Sequence, residues 1–251
     1  DQSLFSWLVN GATVSSALQI DGALFDRGDN VQLVVTPFDG FESGLPVRSN
    51  VVQVVNTAPG LASVQLLPNP AFTVDTLVAS PMGWLDLDGD APQYEYTWYL
   101  NGNAVAGTST DSFSLSQTTP GDRVYVEVVP NDGFEMGNSV RSSTVTVANT
   151  PPTLASVGIN PGSGTETTVF ACIPSGWNDV DGDPPGYDYQ WFVDGNSTVT
   201  TVTIDGTHFN RNDALRCDVR PRDGRGGFGP WVASSTVTVS NTPPGAPTVE
   251  I

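Results

Sequence analysis

A repeat of about 92 residues is the strongest constraint that this sequence places on its fold. Residues 56–59 read NTAP, and the motif returns as NTPP at 149–152 and at 241–244. In each copy a tryptophan comes first and a P-x-D-G loop follows, at Trp7, Trp98 and Trp191 and at Asp39, Asp132 and Asp223. Landmarks that recur in one order at a fixed spacing are the signature of a tandem repeat protein.

The repeat divides the chain into four segments. We expect a partial repeat over 1–58 that lacks its first two strands, complete repeats over 59–150 and 151–242, and the first strand of a following repeat over 243–251. The stretch that neither the partial repeat nor the tail supplies corresponds to residues 67–91 of the second repeat. The chain is therefore interpreted as a three-repeat unit cut within a repeat. Two explanations stay open: a longer continuous chain, or a tail that completes the first repeat of another copy.

Each repeat is predicted to consist of strands. Val, Thr and Ser dominate short runs that Gly, Pro and Asn-Gly separate, and no helical periodicity is evident. The second repeat is expected to form strands A, B, C, a short middle strand, F and G at 61–68, 75–82, 94–102, 111–116, 123–130 and 140–147. About seven strands in ~90 residues favour an immunoglobulin-like sandwich. The predicted fold class is all-β, with tandem immunoglobulin-like β-sandwiches in an elongated array.

The two cysteines of the chain agree with that fold. Cys172 falls on predicted strand B and Cys217 on strand F, with Trp191 on strand C between them. This is the immunoglobulin order, in which a disulfide joins the two sheets and packs against the tryptophan. We therefore expect a disulfide and an oxidising compartment, with two unpaired buried thiols as the alternative. Ala79 and Val126 occupy the aligned positions of the second repeat.

Composition excludes several functions. The net charge of −18 argues against binding to nucleic acid or to an anionic membrane. All nine basic residues are arginine and there is one histidine, so Schiff-base lysines, P-loops and the common zinc sites are absent. No apolar run approaches the ~18 residues of a membrane span, so no membrane insertion is expected. The chain is predicted not to be an enzyme.

The motifs resemble those of a known class of repeat. D-x-D-G-D, Y-x-Y-x-W, P-x-D-G and V-x-V-x-N-T-x-P recur in this order, and they resemble the tandem immunoglobulin-like, PKD-like and cadherin-like repeats of large secreted or surface proteins of bacteria and archaea. The resemblance covers essentially the whole chain. It implies an extracellular or cell-surface fibre, stalk or adhesin segment that continues into further repeats or self-associates end to end.

Two acidic loops are candidate calcium sites. They concentrate carboxylates, which are oxygen ligands that suit Ca²⁺, and the sandwich brings the P-x-D-G loop and the linker to the same end. The resemblance to cadherin-like repeats implies an interdomain ion that stiffens the junction. The alternative is that these aspartates only cap turns. The candidate ligands are Asp86, Asp88, Asp90, Asp132 and Asn56 at one junction and Asp179, Asp181, Asp183, Asp223 and Asn149 at the other.

A second functional reading is an adhesin module that binds a surface glycan or protein through its B–C and F–G loops. The loop PRDGRGGFGPW departs from the PFDGFESG and PNDGFEMG of the other repeats. A ligand is therefore expected around Arg222, Arg225 and Trp231, if any loop binds one.

Overall fold

The structure is a computed structural model that describes residues 2–249, a range that contains strands and no helix. The first repeat contains β1 (Leu4–Val9), β2 (Ala12–Ser15), β3 (Asn30–Thr36), β4 (Val47–Arg48) and β5 (Val52–Gln53). The second contains β6 (Ser63–Leu67), β7 (Ala71–Phe72), β8 (Thr76–Met82), β9 (Gln93–Leu100), β10 (Asn103–Ala104), β11 (Ser112–Ser114), β12 (Arg123–Asn131), β13 (Val140–Arg141) and β14 (Val145–Ala148). The third contains β15 (Thr153–Asn160), β16 (Phe170–Asn178), β17 (Gly186–Val193), β18 (Asn196–Ser197), β19 (Thr203–Ile204), β20 (Ala214–Arg222), β21 (Val232–Ala233) and β22 (Val237–Thr238).

The chain forms two compact units, and the second repeat contributes to both. The first unit is Asp1–Leu67, Val78–Phe113 and Val124–Thr144, and the second is Pro68–Leu77, Ser114–Arg123 and Val145–Ile251. The repeat boundaries at 58, 150 and 242 therefore remain a prediction from the sequence. Residues 243–249 form no strand, residues 250 and 251 lie outside the described range, and the assignment of 243–251 to a following repeat also stays a prediction.

The first unit holds three sheets. The first repeat forms a five-stranded sheet in the order β2-β1-β3-β4, with β5 also paired to β3. The second repeat adds the sheet β11-β8-β6 and the antiparallel strands β10, β9, β12 and β13. Trp98 of β9 is fully buried and stacks on Phe113 of β11, with ring centroids 5.3 Å apart. This contact packs the two sheets of the second repeat face to face, as in a sandwich.

The second unit contains the sandwich of the third repeat and the parallel pair β7 and β14. The sheet β15-β16-β19 faces the sheet β18-β17-β20-β21, in which β22 also pairs with β20. A core of eleven buried residues lies between these sheets, and Trp191, Phe170 and Leu215 are fully buried in it. Buried residues alternate with partly buried ones along β20, which is the pattern of a strand with one face in the core.

The strand that carries the tryptophan, strand C (β1, β9 or β17), lies in the same register on strand F (β3, β12 or β20) in all three repeats. Trp7 pairs with Leu33, Trp98 with Val126 and Trp191 with Cys217. Each strand C ends in a two-residue turn whose residues both have positive φ, as at Asn101 (51°) and Gly102 (85°). This is the type I′ geometry that the Asn-Gly sequence predicts. The prediction of all-β, immunoglobulin-like β-sandwiches is confirmed.

The disulfide between Cys172 and Cys217 is confirmed. It joins β16 to β20 across the two sheets of the third repeat, with Cα atoms 6.1 Å apart. Both cysteines are buried beside Trp191 in the same core. Ala79 and Val126, the aligned residues of the second repeat, are buried as well.

The prediction of one continuous strand G over 140–147 was wrong. The structure divides it into β13 and β14, because between them the Ser142 hydroxyl takes the place of a backbone carbonyl as the acceptor of the Val126 amide, while the Ser142 amide still donates to the Val126 carbonyl at 2.9 Å. The buried Ser142 hydroxyl accepts a hydrogen bond from the Val126 amide at 3.1 Å and donates to the Ser143 carbonyl at 2.9 Å. Ser234 makes the same two contacts in the third repeat. Among residues 2–249 no helix has the length and apolar character needed to cross a membrane.

Replacement of the disulfide by the residue pair of the second repeat, Cys172→Ala with Cys217→Val, is expected to lower the free energy of unfolding of the third repeat by about 2–4 kcal/mol. The reason is that the crosslink restricts the unfolded chain. Calorimetry with and without a reductant measures the effect. The reductant should lower the same transition in the wild type and leave the variant unchanged. A variant that melts with the oxidised wild type would contradict the prediction.

Candidate metal centres

The structure brings three predicted aspartates together at each junction between repeats. The carboxylate oxygens of Asp86, Asp90 and Asp132 lie within 4.8 Å of one another, and those of Asp179, Asp183 and Asp223 do the same. We call these groups the first and the second triad. Each triad lies within one compact unit. In each, the first two aspartates belong to the B–C loop and the third to the F–G loop.

The B–C loop folds around its first aspartate. One oxygen of Asp86, Oδ1, accepts the amides of Asp88 and Asp90 at 2.9 and 3.1 Å. Asp179 Oδ1 accepts the amide of Asp181 at 2.8 Å in the same way. This Asx turn is a local consequence of the D-x-D-G-D sequence, with Gly89 at φ 79°.

The second oxygen of that aspartate has no partner. Asp86 Oδ2 and Asp179 Oδ2 are buried and accept no hydrogen bond from any described residue. A buried carboxylate oxygen without a donor is costly, and in native structures such an atom usually has a water or an ion as its partner. Each orphaned oxygen belongs to a triad member, so both triads contain a negative atom that the protein itself does not neutralise.

The F–G aspartate is the most buried member of the triad. Asp132 is 4% exposed and accepts the amides of Phe134 and Glu135 at 2.7 and 2.6 Å. Its other oxygen accepts the side-chain amide of Asn56 in the linker at 2.8 Å. Burial raises the pKa of Asp132, but these hydrogen bonds stabilise the carboxylate and hold its pKa below the ordinary value.

Asp223 has the same environment in the second junction. It is 5% exposed and accepts the Asn149 side-chain amide at 2.7 Å and the amides of Arg225 and Gly227 at 2.8 and 2.7 Å. Burial raises the pKa of Asp223, but the hydrogen bonds from Asn149 and the loop amides lower it by more, so the net shift of the pKa is downward. The asparagine of the N-T-x-P motif therefore attaches the linker to the F–G loop.

The central aspartate of each B–C loop lies outside the triad. Asp88 Oδ2 accepts the amide of Thr57 at 2.7 Å, and Asp181 Oδ2 accepts the amide of Thr150 at 2.6 Å. Asp181 also accepts the Thr73 hydroxyl at 2.6 Å. These carboxylates attach the linker backbone to the B–C loop, and their assignment as metal ligands stays a prediction.

A glycine in the F–G loop allows the linker to approach. A Cβ atom at Gly137 would overlap the carbonyl oxygen of Pro59, and one at Gly229 would overlap that of Pro152. No side chain fits at either position unless the backbone moves. The glycine that ends the F–G loop is thus a contact residue of the junction, which the repeat pattern alone did not indicate.

An arginine neutralises one aspartate of each triad. The guanidinium of Arg27 binds both oxygens of Asp90, with the Nη2–Oδ1 distance at 3.1 Å, and donates to Asn56 Oδ1 at 2.6 Å. In the second junction Arg225 Nε lies 3.1 and 3.0 Å from the two oxygens of Asp183. The sequence reasoning missed Arg27. The rarity of basic residues in so acidic a chain was the available signal.

Calcium fits the donor set that remains. Ca²⁺ takes six to eight oxygen ligands at about 2.3–2.6 Å, so opposite ligands lie up to about 5 Å apart, which matches the spacing within each triad. The orphaned oxygens of Asp86 and Asp179 are the natural first ligands. The second junction offers two further buried oxygens without partners, Asn149 Oδ1 and Thr150 Oγ1, whereas Asn56 Oδ1 is occupied by Arg27.

The residues proposed for a ligand in the third F–G region have internal partners. Arg225 pairs with Asp183, and Arg222 Nε lies 3.2 Å from Asp188 Oδ1. Trp231 is 48% exposed, and the guanidinium of Arg220 lies 5.2 Å from its ring. Trp231 therefore offers an exposed aromatic surface, and both arginines form ion pairs within the chain. Binding of a ligand by these three residues stays a prediction.

Comparisons with known proteins report likeness of fold. No protein family matches the sequence, and no curated protein matches it. Among solved structures, a Ca²⁺-stabilised adhesin with which an Antarctic bacterium binds ice matches 96% of this chain at 15% identity and a TM-score of 0.35, and this chain spans 65% of that structure. A solved chain from a 1.5-MDa bacterial ice-binding adhesin matches 95% of this chain at 16% identity and a TM-score of 0.35, and this chain spans 86% of that solved chain. The FN1–FN3 domains of chicken CNTN1 match 95% of this chain at 11% identity and a TM-score of 0.31, and this chain spans 88% of that structure.

The lowered pKa values of Asp132 and Asp223 predict a loss of stability in acid. A carboxyl whose pKa is lowered by folding stabilises the protein above the ordinary aspartate pKa of about 3.9, and this contribution disappears as the pH falls below it. The Asn56→Ala and Asn149→Ala double variant should lose less of its melting temperature between pH 5 and pH 2.5, because both carboxyls lose a stabilising donor. Asn50→Ala is the control. Parallel pH curves for the variant and the wild type would contradict the prediction.

Proposed function

We propose that this chain is a non-enzymatic structural segment of an extracellular fibre or surface stalk, in which calcium stiffens the junctions between immunoglobulin-like repeats. The observation that carries the proposal is the orphaned carboxylate oxygen that recurs in both triads. A catalytic site is needed once, whereas this arrangement recurs in every junction, together with the linker contacts around it.

The junction contacts support a mechanical role. At each junction the linker asparagine binds the F–G loop, the linker threonine amide binds the B–C loop, and an F–G glycine admits the proline carbonyl. An ion held by both loops would crosslink the same elements and remove repulsion among three carboxylates. Its contribution is electrostatic, while the chain itself positions the loops and restricts the linker.

The disulfide supports an extracellular location. Structural disulfides persist in oxidising compartments and are rare where thiols are kept reduced. Cys172 and Cys217 are paired, and the described residues contain no free cysteine. The high negative charge suits a surface exposed to cations, and the repeats suit continuation or self-association end to end.

Removal of calcium is expected to lower the melting temperature by about 10 °C when the starting free calcium is a hundred times the dissociation constant. The measurement is a thermal melt in calcium and in chelator at equal ionic strength. Asp86→Asn with Asp179→Asn should abolish the difference. The variant keeps the Oδ1 acceptors of both Asx turns and replaces only the orphaned oxygens.

Relative to the wild type, the melting temperature of this double variant should shift in opposite directions in chelator and in calcium. In chelator it should melt above the wild type, because two uncompensated carboxylate charges are gone, and in calcium it should melt below the wild type. Asp179→Asn alone should remove more of the calcium shift than Asp86→Asn, since the second junction has more free oxygens. Asp21→Asn with Asp111→Asn is a control of equal charge. Wild-type melts that coincide in calcium and chelator would remove calcium from the function.

A second candidate function is recognition of a surface glycan beside Trp231. The observation that favours it is a groove lined by Tyr187, Asp188, Tyr189, Gln190, Thr200 and Trp231, in which aromatic faces lie next to polar groups. Aromatic platforms with a few polar groups suit the apolar faces and hydroxyls of sugars. Binding on a glycan array that is lost in Trp231→Ala would support it, and an array without hits would reject it.

A further inference from the structure

One arginine occupies a defined position in the first junction. Arg27 belongs to the turn before β3, where the Asp29 amide donates to the Asp26 carbonyl at 3.1 Å. Its guanidinium lies 3.6 Å from the ring centroid of Phe134 in the F–G loop of the second repeat. Besides Asp90, it binds the linker through Asn56. The contact combines a charge pair with a cation–π interaction, which explains why the side chain is only 25% exposed.

In the second junction the arginine comes from the repeat after the linker, whereas in the first junction it comes from the repeat before the linker. The turn before β12 has Pro120 at the position of Arg27, and the F–G loop of the third repeat has Arg225 at the position of Phe134. Arg225 binds Asp183 and also donates to the Pro120 carbonyl at 3.2 Å. In the part of the chain that the structure describes, each triad is thus bound by one arginine, Arg27 or Arg225. Arginine in the turn accompanies phenylalanine in the loop, and proline in the turn accompanies arginine in the loop.

The third repeat presents an arginine of the first type. Arg211 occupies the position of Arg27 in the turn before β20, where the Asp213 amide donates to the Asn210 carbonyl at 3.2 Å. Arg211 Nη1 donates to Asn241 Oδ1 at 3.0 Å, which repeats the Arg27–Asn56 bond. Arg211 and Asn241 are exposed, unlike Arg27 and Asn56. We call Arg211 and Asn241 the tail surface.

Beside the tail surface, the linker threonine binds a carboxylate of its own repeat, Glu166. The Thr242 amide and hydroxyl donate to Glu166 at 2.9 and 2.6 Å. In the two junctions an aspartate of the following B–C loop accepts the equivalent threonine amide. The linker threonine of the third repeat therefore has its acceptor within its own repeat.

The first repeat presents the loop that matches this surface. Asp39 accepts the amides of Phe41 and Glu42 at 2.8 and 2.9 Å, as Asp132 accepts those of Phe134 and Glu135. Phe41 is 92% exposed, against 67% for Phe134 beneath Arg27. Asp39 is exposed, whereas Asp132 is buried by its contact with the linker. We call Asp39 and Phe41 the head loop.

We propose that the tail surface of one copy of this chain binds the head loop of a second copy. Arg211 stacks on Phe41 as Arg27 stacks on Phe134, and Asn241 donates to Asp39 as Asn56 donates to Asp132. A loop with arginine at the Phe41 position, such as that of the third repeat, would instead place two guanidinium groups together. The contact is heterologous, so it joins chains head to tail. This inference rests on the proposed structural role and names the residues that select the neighbour.

Sedimentation velocity of the 251-residue chain in chelator tests the pairing. The wild type should form oligomers that grow with concentration. Arg211→Glu and Phe41→Ala should each weaken the self-association constant by at least about tenfold, since each removes the cation–π contact and the first also reverses a charge. Both residues are exposed, so the variants should melt with the wild type. Arg48→Gln is the matched control and should associate like the wild type.

Mixing the two variants gives the sharpest result. Each keeps one intact surface, so an equimolar mixture should form heterodimers with wild-type affinity and no longer species. A monomeric wild type, variants that associate like the wild type, or a mixture without heterodimers would overturn the inference. The calcium-dependent melt is a separate measurement on the triads. Self-association that neither substitution weakens would agree with end-to-end assembly and would reject only this pairing.

Discussion

The hydrogen bond from a linker asparagine to a buried F–G aspartate is the interaction on which both junctions depend. Asn56 binds Asp132 and Asn149 binds Asp223, at 2.8 and 2.7 Å. The bond satisfies a carboxylate that is about 95% buried and attaches the linker to the next repeat. Without that donor the aspartate would be a buried charge held only by its own loop amides, which is a costly arrangement.

The other junction contacts follow from this attachment. Once the linker lies against the F–G loop, the proline carbonyl passes over Gly137 or Gly229, and the threonine amide reaches the B–C carboxylate. The B–C loop then brings its first and third aspartates next to the F–G aspartate. Negative charge therefore accumulates for a structural reason, and an arginine offsets part of it. The orphaned oxygens of Asp86 and Asp179 are what remains.

The first repeat differs from the others in how its core is covered. Trp7 and Leu33 are partly exposed, whereas Trp98, Trp191, Val126 and Cys217 are fully buried at the equivalent positions. The described part of the first repeat forms one sheet, so the inner face of that sheet has no second sheet against it. An apolar face of this kind lies beside Trp7, Phe25 and Leu33. The same alternation of residues therefore gives a closed core in one repeat and an open face in another.

Much of the fold could be predicted because its signals are local. The Asn-Gly turns, the alternation along strand F and the Cys–Trp–Cys order each depend on a few neighbouring residues. The division of strand G was missed because a serine hydroxyl competes with backbone pairing only once Val126 lies opposite Ser142. Arg27 was missed for a related reason: its partners Asp90 and Phe134 are more than sixty positions away along the chain.

The sequence by itself determined the repeat, the strand-rich character, the disulfide, and the aspartates and asparagines gathered at each junction, because these follow from periodicity and local turn chemistry. The tertiary structure decided which aspartates form the triads, which bind the linker, and which side of a junction supplies the guanidinium. These outcomes depend on distances between loops that are remote in sequence. Within each D-x-D-G-D segment, therefore, one aspartate binds the linker and another has a buried carboxylate oxygen without a partner.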